Sequence, residues 1–246
     1  YYRAFRKQGM NVDLIDMDCS IEGYQVLVLP MTYMFKQGFA EKVRAFVEQG
    51  GVLITTYWSG IADDTDRCYL GGTPHGLMDV LGLRSTEIDG LFDWEENQFM
   101  PVDGNELGLF REYTCKYLCD LVRLDGAQAL MTYGSDFYQG YPALTVNRYG
   151  KGSAWYVAAD AEQVFQEDFI AKLLEHEEIC GAVPGEIPEG LEVTTRETED
   201  VRYYIYQNFG TGRVTLPLPE GETETVFGDL KQELEPYGLV VLRQRR

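Results

Sequence analysis

Basic residues are scarce in this chain: 21 Lys and Arg stand against 40 Asp and Glu, a formal charge of −19. The deficit runs along the whole length, −16 over residues 1–190 (14 against 30) and −3 over residues 191–246 (7 against 10). Such a molecule repels a phosphate backbone and an anionic membrane surface, so both are excluded as leading partners. No apolar run reaches the roughly 18 residues that a membrane-spanning helix needs. Histidine is limited to His75 and His176, and the five cysteines (Cys19, Cys68, Cys115, Cys119, Cys180) are odd in number and scattered. They form no disulfide framework, and reduced thiols of a cytoplasmic protein are the simpler reading. An initiator Met is also missing, and "YYRAFRKQG" starts inside a helical pattern with no capping residue before it. The expectation is a start inside a longer protein, which leaves signal-peptide status open.

What is present is apolar and aromatic. Hydrophobic residues make up 45% of the chain, with 17 Tyr and 12 Phe, enough for one large core or two smaller ones and too much for disorder. "NVDLID" (11–16) predicts a short strand. "YQVLVLP" (24–30) and "VLITTY" (52–57) read as strands buried on both faces. Between them Phe39, Val43, Phe46 and Val47 fall on one face of a helix over about 38–49, ended by Gly50-Gly51. This β-α-β spacing favours a right-handed crossover and a parallel sheet. Residues 56–76 form a long loop, and 77–83 a short helix with Gly82 near its end. From 106 to 158 four extended segments ("CDLVRL", "AQALMTY", "PALTVNRY", "SAWYVAA"), separated by glycine turns, suggest a sheet extension with hairpin character. A helix over 161–176 follows. "GAVPGEIPEG" (181–190) is a linker candidate, and beyond it lie short strands of a small all-β module.

Forty carboxylates invite catalytic readings. A glycosidase needs two on a rigid frame. Asn105-Glu106 matches the acid/base dipeptide of many barrel glycosidases, yet "VDGNELG" is a turn sequence. Asp63, Asp64 and Asp66 cluster in the long loop without the spacing of a calcium loop. "TYWSG" follows a strand as a nucleophile elbow would, but Tyr57 stands where the elbow needs glycine. Cys115-x-x-x-Cys119 has no second pair for zinc, and Gly150-Lys151-Gly152 matches no phosphate loop. No catalytic residue, metal site or cofactor is expected. Tyr57, Trp58, Tyr69, Phe92, Trp94, Phe99, Phe110 and Tyr113 sit in loop-like stretches, where aromatics bury against a partner, stack on a sugar or pack on their own domain.

"GYQVLVLPMTYMFKQGFAEKVRAFVEQGGVLITTYWSGIADDTDRCYLGGTPHGLMDVLGL" resembles the start of the trimerisation domain of glycoside hydrolase family 42 β-galactosidases. It shows a strand ending in Pro, a helix ending Gly-Gly, Thr-Tyr, an aromatic, Ser-Gly, an acidic loop and Leu-Gly-Gly. "LDGAQALMTYGSDFYQGYPALTVNRYGKGSAWYVA" is similar to the second half of that domain, and "LEPYGLVVLR" to the last strand of the family's small C-terminal domain. The resemblance implies an α/β fold with a flavodoxin-like (glutamine amidotransferase-like), mostly parallel sheet over 1–183. A linker over 184–190 and a small all-β antiparallel domain over 191–246 would follow. It also implies the non-catalytic part of a homotrimeric enzyme that cleaves terminal β-D-galactosides with retention. The catalytic glutamates and zinc-binding cysteines belong to an N-terminal barrel with no counterpart here, and galactoside would be bound through that barrel. What carries over is an assembly role for the loop 56–72, with Trp58, Ile61, Asp63, Asp64, Asp66 and Tyr69 as interface residues. Two alternatives stay open: a stand-alone carbohydrate-binding protein, and an amidotransferase-like enzyme, for which the nucleophilic Cys near 56–60 is missing.

Overall fold

The computed structural model describes all of residues 1–246. The opening helical pattern is a short helix, α1 (Tyr2–Lys7). "NVDLID", expected as a strand, joins no ladder, and Leu14 is left exposed. The chain then forms β1 (Val26–Leu29), β2 (Met34–Phe35), α2 (Phe39–Glu48), β3 (Val52–Thr56) and β4 (Ala62–Asp63). Next come α3 (Met78–Leu81), β5 (Leu83–Gly90), β6 (Asn97–Pro101), β7 (Tyr113–Leu124), β8 (Gln128–Tyr133), β9 (Pro142–Tyr149), β10 (Gly152–Val157) and β11 (Ala159–Ala161). After α4 (Gln163–His176) follow β12 (Leu191–Glu197), β13 (Val201–Asn208), β14 (Val214–Thr215), β15 (Glu224–Phe227), β16 (Glu233–Leu234) and β17 (Leu239–Arg245).

The two apolar runs pair as expected. β1 and β3 are parallel neighbours, joined by the crossover through α2, and β10 adds a third parallel strand beside β3. Beyond that point the expectation of a mostly parallel sheet is corrected. The order of the nine-stranded sheet is β1-β3-β10-β9-β8-β6-β7-β11, with β5 also on β7, and every pairing after β10 is antiparallel. The reason is local. A parallel return needs a long crossover, whereas tight turns such as Gly150-Lys151 reverse the chain between neighbours.

Glycine at 150 and 152 has a packing cause. The Lys151 N–H donates to the carbonyl of Glu48 at the end of α2 (3.0 Å), satisfying one of that helix's terminal carbonyls. A Cβ at Gly152 would lie 2.2 Å from the Gly51 carbonyl oxygen and 2.4 Å from that of Val47. The Gly-Lys-Gly motif is therefore the seat of α2 on the β9–β10 hairpin.

The chain divides into two compact units, Ile15–Gln166 and a discontinuous one of Tyr1–Leu14 with Glu167–Arg246. The first holds the large sheet. In the second, β12-β13-β17-β15 form an antiparallel sheet, with β14 and β16 as a separate pair. Tyr204, Tyr206 and Asn208 point into its core, while Tyr203, Ile205 and Gln207 are half-buried on the other face. By this division α1 and most of α4 group with the small β sheet. The Ile187 N–H donates to the Lys7 carbonyl (2.8 Å), the Ala182 N–H to that of Gly9 (2.9 Å), and Arg6 pairs with Glu192 (3.1 Å). Residues 184–190, expected as a linker, carry Ile187, which is buried with Val183 in the cluster of Leu191, Val193 and Val240.

Candidate functional site

A loop leaving a parallel strand's carboxyl end can project from the sheet, and here two such loops leave side by side. Both turn on a non-glycine residue in the left-handed region, Met31 after β1 (φ 43°) and Trp58 after β3 (φ 56°). Side chains with a Cβ seldom adopt that conformation, and it concentrates at functional positions. The loops are bonded to one another. The Met31 N–H donates to Thr56 Oγ1 (2.7 Å) and the Thr32 N–H to Ser59 Oγ (3.0 Å). The Gly60 N–H donates to the Thr32 carbonyl (2.9 Å) and the Ile61 N–H to that of Tyr33 (2.8 Å). The seam continues as a two-stranded parallel ladder of β2 and β4.

Of the six residues singled out in the 56–72 loop, Trp58, Ile61, Asp63 and Tyr69 are half-buried, and Asp64 and Asp66 are exposed. The Trp58 indole stacks on Tyr33 (centroids 5.9 Å apart, 19° between planes), and the Tyr33 hydroxyl donates to Asp66 Oδ1 (2.9 Å). Asp63 serves its own turn. Its Oδ1 accepts from the Thr65 hydroxyl (2.7 Å), the Thr65 N–H (2.9 Å) and the Arg67 N–H (3.1 Å). These bonds, the Thr65 hydroxyl foremost, hold its carboxyl below the usual range. Tyr69 stacks on His75 (3.8 Å, 8°), and burial pushes its phenol up. The structure thus joins Trp58 and Asp66 through Tyr33, pairs Tyr69 with His75, and gathers no three carboxylates about one point. Leu70, not singled out from the sequence, is 90% exposed at the end of this loop.

Beneath the loop lies a second feature that the sequence reading missed. Asp120 on β7 is fully buried, and none of the chain's ion pairs reaches it. Tyr156 donates its hydroxyl to Oδ2, and the Trp58 N–H reaches the same oxygen at 3.4 Å; Oδ1 has no partner. The Tyr133 hydroxyl bonds the Asp120 and Ala158 carbonyls (3.2 and 2.9 Å). Burial pushes the Asp120 carboxyl up to about 6, against the opposing effect of its donors. Alongside, burial and Asp160 raise the Tyr57 phenol. The available signal was a lone carboxylate directly before the apolar pair Leu121-Val122 in the strand segment "CDLVRL".

The remaining candidates resolve as structure. Ser59 is buried with its Oγ taken by the Thr32 N–H, while the His75 ring lies on Tyr69, so no Ser–His pair forms. Asn105 staples its turn through bonds to the Val102 and Leu109 carbonyls (3.0 and 2.9 Å), and exposed Glu106 sits 3.8 Å from Arg148. Cys115 and Cys119 are both buried on β7. Among the loop aromatics, Tyr57, Phe99 and Tyr113 are buried, whereas Phe92, Trp94 and Phe110 are exposed, with Phe92 and Trp94 stacked on each other (4.9 Å).

Comparison with known proteins covers the whole chain. The family model described as "Beta-galactosidase trimerisation domain" matches residues 1–180, and "Beta-galactosidase C-terminal domain" matches residues 190–244. The chain is 39% identical to the β-galactosidase BglY of Alicyclobacillus acidocaldarius over 248 residues, 99% of this chain and 36% of that protein. It is 37% identical to the β-galactosidase Pbg of Clostridium perfringens over 249 residues, 100% of this chain and 36% of that protein. The crystal structure of the β-galactosidase from Rahnella sp. R3 superposes with a TM-score of 0.89 at 39% identity, covering 100% of this chain and 36% of that one. The chain therefore spans about a third of the length of the curated relatives it matches.

Proposed function

From its membership of glycoside hydrolase family 42, to which this chain belongs as trimerisation and C-terminal domains, we propose that it is the assembly part of a β-galactosidase. The whole protein would hydrolyse terminal β-D-galactosides with retention on a catalytic barrel, and this part would join three copies into a homotrimer. Residues 1–183 would be the trimerisation domain and 191–246 the C-terminal domain, in keeping with the matched ranges. The β1–α2–β3 crossover with parallel β10 supports a flavodoxin-like, amidotransferase-related origin for the large sheet. Five unpaired cysteines support a cytoplasmic setting. The carbohydrate-binding and amidotransferase-like alternatives gain no support from any observation.

The observation that carries the reading is the loop surface over β1 and β3. Trp58 is held in a left-handed turn, Met31 and Leu70 are exposed, and Asp64 and Asp66 stand close by in sequence. An apolar, aromatic centre with a polar rim is the usual anatomy of a subunit contact. A three-fold contact is heterologous, so this surface would meet a different patch on the next copy. Trp58→Ala in the complete protein tests it. Light scattering should report loss of the trimer while galactosidase folding, read by circular dichroism, is retained. A trimer of unchanged stability removes Trp58, and with it the loop's assembly role.

A further inference from the structure

We infer that Asp120 is the positioning residue for Trp58: from its own strand it holds the left-handed Trp58 backbone from beneath, and so presents the indole to a second copy of this chain. The inference rests on the assembly reading of the loop 56–72.

Three observations carry it. First, a buried carboxylate without a cation is costly, and hydroxyl and amide donors are what make it tolerable. Asp120 has two on one oxygen, and one of them is the Trp58 main-chain N–H. Second, Trp58 is a bulky residue at φ 56°, a conformation that persists only where surroundings impose it. The flanking bonds do part of this: the Tyr57 N–H is tied to the Val157 carbonyl (2.8 Å) and the Gly60 N–H to that of Thr32 (2.9 Å). The N–H of Trp58 itself turns inward to Asp120. Third, the carboxylate is braced in turn. Asp120 is held by its own N–H to the Ala158 carbonyl (2.7 Å) and by the Tyr133 hydroxyl on its carbonyl. A group fixed on three strands thus sets the geometry of a loop that otherwise bonds mainly to another loop.

The charge state of Asp120 follows from the same burial. Above about pH 6 it is a carboxylate and a strong acceptor for the Trp58 N–H; below that it is protonated and a weaker one. The groups facing it are Tyr156 from β10, Tyr133 from β8, Tyr57 at the end of β3 and Ser85 from β5. All three phenols are raised above their ordinary values, so none of them changes charge near pH 6. Three further groups bear on the loop: Asp160 of β11 through Tyr57, its carboxyl raised by burial, His75 through Tyr69, and Asp66 through Tyr33.

The test labels the full 246-residue chain with 5-fluorotryptophan, whose three fluorine resonances report Trp58, Trp94 and Trp155 separately, with Trp58→Phe for assignment. The Trp58 resonance should move with a midpoint near pH 6. Asp120→Asn should abolish that titration and hold the resonance near its low-pH position, because the amide is uncharged like the protonated acid while its oxygen still accepts the N–H. Asp120→Ala should displace it at every pH. Asp160→Asn, His75→Gln and Asp66→Asn should leave the titration in place. A Trp58 resonance that ignores pH in the parent chain, or that titrates unchanged in Asp120→Asn, overturns the inference. If Asp120→Ala does not fold, the parent chain and Asp120→Asn still decide. Asp120→Ala in the complete protein should also weaken the trimer, and Asp120→Asn should restore it. If Trp58→Ala leaves the trimer intact while the resonance follows Asp120, the assembly reading fails and only the local coupling stands.

Discussion

Asn208 satisfies four main-chain groups with one buried side chain. The two hydrogens of its Nδ2 are shared among the carbonyls of Gly212 (2.8 Å), Leu234 (3.1 Å) and Glu235 (3.0 Å), and its Oδ1 accepts from the Gly210 N–H (2.9 Å). In the sequence it reads only as the first residue of a turn, because two of these partners, Leu234 and Glu235, lie 26 and 27 residues further along the chain. Asn208→Ala leaves those carbonyls and one N–H short of their partner, the Leu234 carbonyl in a buried position. The expected loss is about 2 kcal/mol, the scale of an unmet buried hydrogen-bonding group. Urea unfolding of the chain should show it as a lower midpoint at unchanged slope; an unchanged midpoint would mean that water replaces the amide.

The Gly-Lys-Gly turn shows how an element is seated rather than formed. Gly152 approaches the Gly51 and Val47 carbonyls so closely that a methyl group cannot enter without moving the main chain of α2. Gly152→Ala should cost about 3 kcal/mol, the upper part of the range for overpacking a core. Gly90→Ala, where an added Cβ meets nothing within 4 Å, should stay within about 0.5 kcal/mol of the parent. Equal melting temperatures for the two variants would contradict this account. Elements such as these were legible to different degrees. α2, β1 and β3 could be read because an apolar face or an unbroken apolar run is a local pattern. The strand segments 119–124, 127–133, 142–149 and 153–159 were also legible, with their hairpin character, though the parallel partner of the last was not. Direction is decided by which strand each one meets, and the parallel pairing of β10 with β3 joins segments almost a hundred residues apart in the chain. The half-buried stack of Trp58 on Tyr33 and the carboxylate under it depend on the same kind of distant meeting: Asp120 and Trp58 are separated by 62 residues. The acidic trio was visible, yet its three members have three different surroundings that spacing alone does not distinguish.

At the scale of the whole molecule, the proposed role is assembly, and one positioned carboxylate cannot supply both acid and nucleophile for glycoside cleavage. The purified 246-residue chain should therefore release no product from a chromogenic galactoside above the buffer rate. Measurable turnover that survives repurification would contradict the division of labour proposed above. The discontinuous unit has a further consequence, for the order of events on the ribosome. Arg6 meets Glu192 across 186 residues of sequence. At elongation rates of about 5–20 residues per second, α1 waits roughly 10–40 s for that partner to be made. Ile15–Gln166 is synthesised whole in the meantime and can close first, while the buried face of α1 (Ala4, Phe5) stays open to chaperones. The helix that opens this chain is thus made before Ile15–Gln166 yet placed after it.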